Sequence, residues 1–253
     1  MDPRAAGVKV KGAATRSPAR VQPVGKGAPG LRPLELVPAI LVKTRDELVA
    51  RLALAATVAK RAQVDIMDGR FVPNTTVQAQ DLVGLKPPLE LEIHLMVEDP
   101  LAAMNTIGKR AGLFLVHVET VGQGSVVDGR ASVAELEARA RQLGVRFGLV
   151  VNAKTPVSAV LPHLDRLDEV LVMTVEAGFG GQKLIPETLD KVAALRKLRP
   201  ELDIEVDGGI DVTTVGKAAK AGANVLVAGS ALFGQGDLRA AADELLDLAS
   251  LAR

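Results

Sequence analysis

From Leu34 to its C-terminus the chain alternates between two hydrophobic periods: short, nearly continuous apolar runs, and longer stretches in which apolar residues recur at helical spacing. The short runs predict strands at residues 34–41, 61–69, 89–97, 113–120, 145–152, 169–175, 204–209 and 225–230. Runs this apolar are what a sheet covered on both faces requires. Helices are predicted in the gaps. Thr44 and Glu47 form a capping box ahead of the first, Asp99 caps the second, and the helix over 132–143 stops at Gly144. Others are predicted over 157–167, 186–198 and 213–221, and DLRAAADELLDLASLA closes the chain. After the second strand a helix gives way to the loop FVPNTTVQAQ and a short turn near Asp81. Eight strand–helix units in unbroken order predict a single-domain (β/α)8 TIM barrel over residues 34–253, with parallel strands.

A doubly wound open sheet shares that alternation, and the glycines separate the two folds. Strand six ends in EAGFGGQ, strand seven in VDGG and strand eight in AGS. A Rossmann sheet carries its Gly-rich turn after the first strand, whereas a barrel gathers the loops after strands six to eight at its catalytic face. Gly178, Gly180 and Gly181 leave backbone amides open to an anion, so these turns are a candidate phosphate cradle, with Phe179 placed to cover it.

Residues 1–33 break the pattern. They are rich in Gly, Ala and Pro, carry basic residues with Asp2 as their one acid, and show no apolar period. Such a segment buries too little surface to offset its ordering entropy and is expected to be a disordered basic tail. A targeting peptide is the competing reading; scarce Ser, interrupting prolines and the lack of an apolar core segment oppose it. The formal net charge of +1 supplies no bulk attraction to nucleic acid. No apolar run is long enough to span a bilayer, so no membrane partner is expected. The chain has no Cys, which removes disulfide and thiolate chemistry and suits a cytoplasmic location. Trp and Tyr are absent too, removing the usual stacking platforms for bases or sugar rings.

Catalytic groups of a barrel project from the C-terminal ends of its strands. The polar residues there are Gln63, Asp65, Asp68, His94, His117, Glu119, Asn152 and Asp207. Alternation puts Gln63, Asp65 and Met67 on one face of the second strand and Asp68 on the other. Asp65 and Asp207 come from strands two and seven, roughly across the barrel. Two facing carboxylates suit removal of a proton from one face of a carbon and its return to the other. His94 beside them would complete a site for Zn²⁺ or a similar divalent ion. Each group also has a plainer use: an Asp at a strand end commonly caps a helix or anchors a loop, and Met67, Met96 and Met173 fill a barrel economically.

Five segments, VDIMDGRFVPN, EIHLMVEDP, VMTVEAGFGGQ, IEVDGG and GANVLVAGSALFG, together resemble the ribulose-phosphate 3-epimerase family, in order and at its spacing, over about residues 34–249. The resemblance implies an isomerase that interconverts D-ribulose 5-phosphate and D-xylulose 5-phosphate through an enediolate stabilised by a divalent metal ion, Zn²⁺ or else Fe²⁺, Mn²⁺ or Co²⁺. It implies that Asp65 and Asp207 are the acid/base pair and also metal ligands, and that His94 is a third ligand and a substrate contact. Gly178, Phe179, Gly180, Gly181, Gly208, Gly209, Gly229 and Ser230 would hold the phosphate and neighbouring atoms, with Asp207 beside them. It also implies a homo-oligomer whose small-molecule partner is a sugar phosphate.

Three positions depart from the family pattern. Gln63 stands where the family has a His that serves as a fourth metal ligand, and an amide oxygen is a poorer Zn²⁺ ligand than imidazole, so the metal is expected to be weakened or absent. Ala39 removes a hydroxyl expected near the substrate, and Ala177 replaces a Pro in the phosphate turn. Three alternatives stay open: an epimerase or isomerase of another sugar phosphate, a lyase on the same scaffold, or a catalytically impaired phosphosugar-binding relative. The lyase lacks support, because neither EIHLMVED nor VLVMTV carries the Lys it would use.

Overall fold

Each strand hydrogen-bonds to the next in chain order, and the last returns to the first. In the computed structural model, which describes residues 32–122 and 129–253, the strands are β1 (Glu35–Ile40), β2 (Arg61–Met67), β3 (Glu90–Met96), β4 (Ala111–His117), β5 (Arg146–Val151), β6 (Glu169–Met173), β7 (Asp203–Asp207) and β8 (Val225–Ala228). All pair in parallel and form a closed barrel. Most of the reading of residues 1–33 as a tail lies outside the described residues. Its last two members, Arg32 and Pro33, are described, and they attach to the barrel: Arg32 pairs with Asp203 at 2.5 Å, and the Pro33 carbonyl faces Asn224 Nδ2 at 3.4 Å.

The helices are α1 (Arg45–Ala55), α2 (Pro100–Ile107), α3 (Val133–Leu143), α4 (Leu189–Leu198), α5 (Val215–Ala221), the short α6 (Ser230–Phe233) and α7 (Leu238–Leu251). Their ends follow the sequence signals. Thr44–Glu47 and Ser132–Glu135 close capping boxes on α1 and α3, Asp99 accepts from the Ala102 amide at 2.9 Å, and Gly144 caps α3 in the left-handed conformation at φ 72°. None is long and apolar enough to cross a membrane among the described residues. One expectation is corrected. The helix predicted over 157–167 is instead two 3₁₀ turns, Val157–Ala159 and Leu161–Arg166. Pro162 sits where an α-helix would need an amide donor, and the segment closes with shorter bonds such as His163 N to Val160 O at 3.0 Å.

Alternation along the strands divides the core. Outward residues such as Ile93, Phe114, Phe147 and Val206 are fully buried under the helices. Inside the barrel, Leu113, Leu115, Val150, Leu171 and Met173 form one apolar cluster, and Val37, Val225 and Val227 another. Between them runs a polar column. At its lower end, nearer the strand starts, the Arg61 guanidinium meets Glu169 through two bonds of 3.0 and 3.1 Å and Glu92 at 2.7 Å, with Glu205 alongside. Arg146 reaches Glu169 from β5 at 3.5 Å. Burial and the neighbouring carboxylates raise Glu205 well above the ordinary carboxyl range, and Glu92 to about 7. Against its burial, Arg61 holds Glu169 low and ionised.

Candidate active site

Two residues further along the inward face of β2 and β3 the column reaches the barrel mouth. The parallel register sets Asp65 opposite His94, and β7 ends on Asp207. One ligand atom from each of Asp65, His94 and Asp207 lies within 4.8 Å of the other two. The two carboxylates stand three strands apart around the eight-stranded ring, roughly across it, and the side chain between them is Gln63. Its Nε2 donates to Asp65 Oδ1 at 2.9 Å and to Asp207 Oδ2 at 2.8 Å. His94 Nδ1 lies 3.0 Å from Asp65 Oδ1 and 3.8 Å from Asp207 Oδ2.

The electrostatics follow from crowding. Burial, and then the charge of Asp65, push Asp207 up to about 6. Burial alone would depress His94; the hydrogen bond and charge of Asp65, with Asp207 behind it, outweigh that and raise it. Behind His94 lies a second imidazole. His117 Nε2 is 2.9 Å from His94 Nε2, and His117 Nδ1 is 3.1 Å from Glu119 Oε2. Burial drives His117 down to about 4, while Glu119, although itself largely buried, is held at about 2 by His117, Thr155 and the Asn152 amide.

These residues suit a divalent cation on the chemistry of their donors. Two carboxylate oxygens and an imidazole nitrogen converge, and Gln63 Oε1 is buried with no hydrogen-bond partner. Rotating that amide end for end would offer Oε1 to the same point, an arrangement that repels both carboxylates unless a cation lies between them.

The glycine turns line the same cavity of about 440 Å³ as Asp65 and Asp207. Gly208 and Gly209 have φ of 116° and 65°, and a Cβ on Gly209 would stand 2.3 Å from the Leu184 amide nitrogen, so the β7 turn can approach the β6 loop only without side chains. Thr174 Oγ1 pins that turn, donating to Asp207 O at 2.9 Å and Gly208 O at 2.5 Å. Asn74 Nδ2 donates to Gly178 O at 2.7 Å, and Gln182 Nε2 braces the loop through Glu176 O and Phe179 O, each at 2.8 Å. Gly178, Gly180, Gly181, Gly229 and Ser230 all line the cavity, with Phe179 at its half-exposed rim. Met67, Met96 and Met173 form an apolar wall.

Other strand-end candidates serve as anchors. Asp68 accepts from the amides of Arg70, Phe71 and Glu98. Asn152 Oδ1 accepts from those of Ala153 and Ala177. One lining residue was not foreseen: Arg51 of α1, the only cationic side chain among the described residues around the cavity, lies 4.7 Å over the Phe233 ring. Its signal was hidden because a surface helix Arg looks like any other.

A closed parallel barrel whose mouth holds two carboxylates, an imidazole and glycine turns after its last three strands defines a (β/α)8 protein with a candidate active site at its C-terminal face. The chain belongs to the ribulose-phosphate 3-epimerase family, whose pattern it matches over residues 35–233. It is 44% identical over 177 residues to the cytoplasmic isoform of ribulose-phosphate 3-epimerase from Oryza sativa subsp. japonica, spanning 68% of this chain and 74% of that one. It is 37% identical over 190 residues to ribulose-phosphate 3-epimerase from Bacillus subtilis, spanning 72% and 83%. Among solved structures, 3-hexulose-6-phosphate synthase from Salmonella typhimurium superposes with a TM-score of 0.61 at 16% identity, over 87% of this chain and all of that one, a likeness of fold.

Proposed function

We propose that this chain epimerises C3 of a pentulose 5-phosphate, interconverting D-ribulose 5-phosphate and D-xylulose 5-phosphate, with Asp65 and Asp207 as its acid/base pair. The observation that carries the reading is that two carboxylates, the buried Asp65 and the partly buried Asp207, share a cavity with three glycine turns, inside a chain of this family. One Asp takes the C3 proton from one face, the carbon flattens, and the other Asp delivers a proton to the opposite face. Asp207, raised to about 6, can hold a proton near neutral pH, while Asp65 accepts from Gln63 and lies against His94. A divalent metal ion held by Asp65, His94 and Asp207, with Gln63 Oε1 as a fourth donor, would stabilise the negative charge that develops on the substrate oxygens.

The phosphate belongs against Gly178, Gly180, Gly181, Gly208, Gly209, Gly229 and Ser230, with Arg51 supplying the positive charge. Charge supports this: Arg51 is the only cationic side chain among the described residues that line the cavity. The three methionines exclude water from the reacting carbon. A cytoplasmic location and self-association belong to the same proposal, as does the reading of the chain before Arg32 as a dispensable tail, to be tested by truncation there.

The decisive experiment incubates the protein with D-ribulose 5-phosphate in D₂O, after chelation and with Zn²⁺, Mn²⁺ or Fe²⁺ restored. Metal-dependent deuterium at C3 with formation of the epimer is expected. Phosphate binding with no exchange under any metal would overturn the assignment in favour of a binding role or another substrate.

A further inference from the structure

Asp65, His94 and Asp207 can act as one cation site only if a particular nitrogen of His94 carries its lone pair toward the carboxylates. The contact between His94 Nε2 and His117 Nε2, at 2.9 Å, decides which. Two ring nitrogens at that distance share one hydrogen, so one donates and the other accepts. On its far side His117 Nδ1 faces Glu119 Oε2 at 3.1 Å, and a carboxylate oxygen only accepts, so His117 Nδ1 holds a hydrogen. Glu119 is fixed in turn, because its Oε1 accepts from the Asn152 amide at 2.9 Å. Both imidazoles are fully buried, and the Phe71 ring lies 4.7 Å from that of His117, so neither ring turns freely. A neutral His117 with its hydrogen on Nδ1 presents a bare Nε2, and His94 must then carry its own hydrogen on Nε2. What remains is the Nδ1 lone pair, 3.0 Å from Asp65 Oδ1 and 3.8 Å from Asp207 Oδ2.

We infer that His117 and Glu119 are positioning residues that lock His94 in the Nε2–H tautomer, so that its Nδ1 is the third ligand to a divalent cation held by Asp65 and Asp207. The inference rests on the metal reading above and assigns to this chain two residues that touch neither substrate nor cation. Without a cation, the Nδ1 lone pair would face a carboxylate oxygen, two acceptors opposed across 3.0 Å. The triad is thus arranged for a cation. Partners of a ligating imidazole's second nitrogen generally set its tautomer and basicity, and their loss weakens metal binding about 10–100-fold.

The test reads metal and tautomer separately. Zn²⁺ affinity is measured by competition with a chromophoric chelator for the wild type, Glu119→Gln and His117→Gln, with folding checked by circular dichroism. In parallel, long-range ¹H–¹⁵N correlation on the intact wild-type protein assigns the ring nitrogens of its three histidines with and without Zn²⁺. The expected result is one Zn²⁺ per chain in the wild type, coordination through His94 Nδ1, a hydrogen on His117 Nδ1, and affinity lowered about 10–100-fold in both variants. Zn²⁺ bound through His94 Nε2, or wild-type affinity in Glu119→Gln, overturns this inference and leaves the metal reading intact. A wild type that binds no divalent cation overturns the metal reading and the ligand role of Nδ1 together, whatever tautomer the spectra report.

Discussion

The barrel contains two clusters of converging acidic side chains, Glu92, Glu169 and Glu205 from β3, β6 and β7 and, nearer the mouth, Asp65 and Asp207 with His94 from β2, β7 and β3, and only the second opens on a cavity. Glu92, Glu169 and Glu205 near the strand starts bring their oxygens as close together as Asp65, His94 and Asp207 do near the mouth. The lower group is fully buried and fed by two guanidiniums, Arg61 and Arg146. The upper group has only an amide and an imidazole between its carboxylates, and it opens on a cavity. Crowded carboxylates alone therefore do not mark a reaction centre. A set whose charge is already balanced by fixed guanidiniums has no call for a ligand. A set with no guanidinium among its partners, opening on a cavity, does.

The comparison can be broken in graded steps. The largest effect is expected from removing one upper acid: Asp65→Asn or Asp207→Asn should lower turnover by about 10²–10⁴-fold with the fold retained. Glu205→Gln, the same exchange one level down, should leave turnover near that of the wild type. A coupled epimerase assay that finds the lower substitution as damaging as the upper ones would erase the distinction. Next, Arg61→Leu strands buried carboxylates and should cost about 3–5 kcal/mol of stability in urea denaturation. A smaller gain is expected for Gln63→His, which replaces an amide by an imidazole in the upper set. It should tighten Zn²⁺ retention against a chelator by at least the ~10-fold that changes around a ligating imidazole typically produce.

The smallest effect is a pH slope. Glu92 is raised to about 7 in the folded chain and Glu205 is raised as well, so the folded state binds these protons more tightly than the unfolded state. That contribution is complete below the ordinary Glu value of about 4.3 and is lost as pH climbs through 7, by on the order of 1 kcal/mol. Glu205→Gln should flatten the loss, as read from denaturation midpoints between pH 5 and 8.

The barrel was legible because its information is local. Each strand is an apolar run closed by turn residues, and Thr44, Asp99, Ser132 and Gly144 announce helix ends in the side chains themselves. The segment over 157–167 misled because its apolar spacing is helical while Pro162 withholds an amide. Asp65, His94 and Asp207 were legible from strand parity and from the family resemblance. The lower triad was not: Glu92, Glu169 and Glu205 are single polar residues in apolar strands, and only the register between strands brings them together. The same holds for His117 and Glu119, candidates by position whose use emerges from a contact to His94 that no spacing encodes. Gln63 was expected as a weakened ligand; its role as a bridge donating to both carboxylates is a finding of the geometry.

The apolar wall of the cavity carries a liability of another kind. In a chain without cysteine, the thioethers are its oxidisable sulfurs, and Met67, Met96 and Met173 stand around the acids. Each is at most 3% exposed, so an oxidant must enter through the cavity that admits substrate. Conversion to the sulfoxide would put a polar, chiral S=O where the wall excludes water. A bound sugar phosphate should therefore shield these sulfurs, and peptide mass mapping after peroxide treatment should find them slower to oxidise when the site is filled.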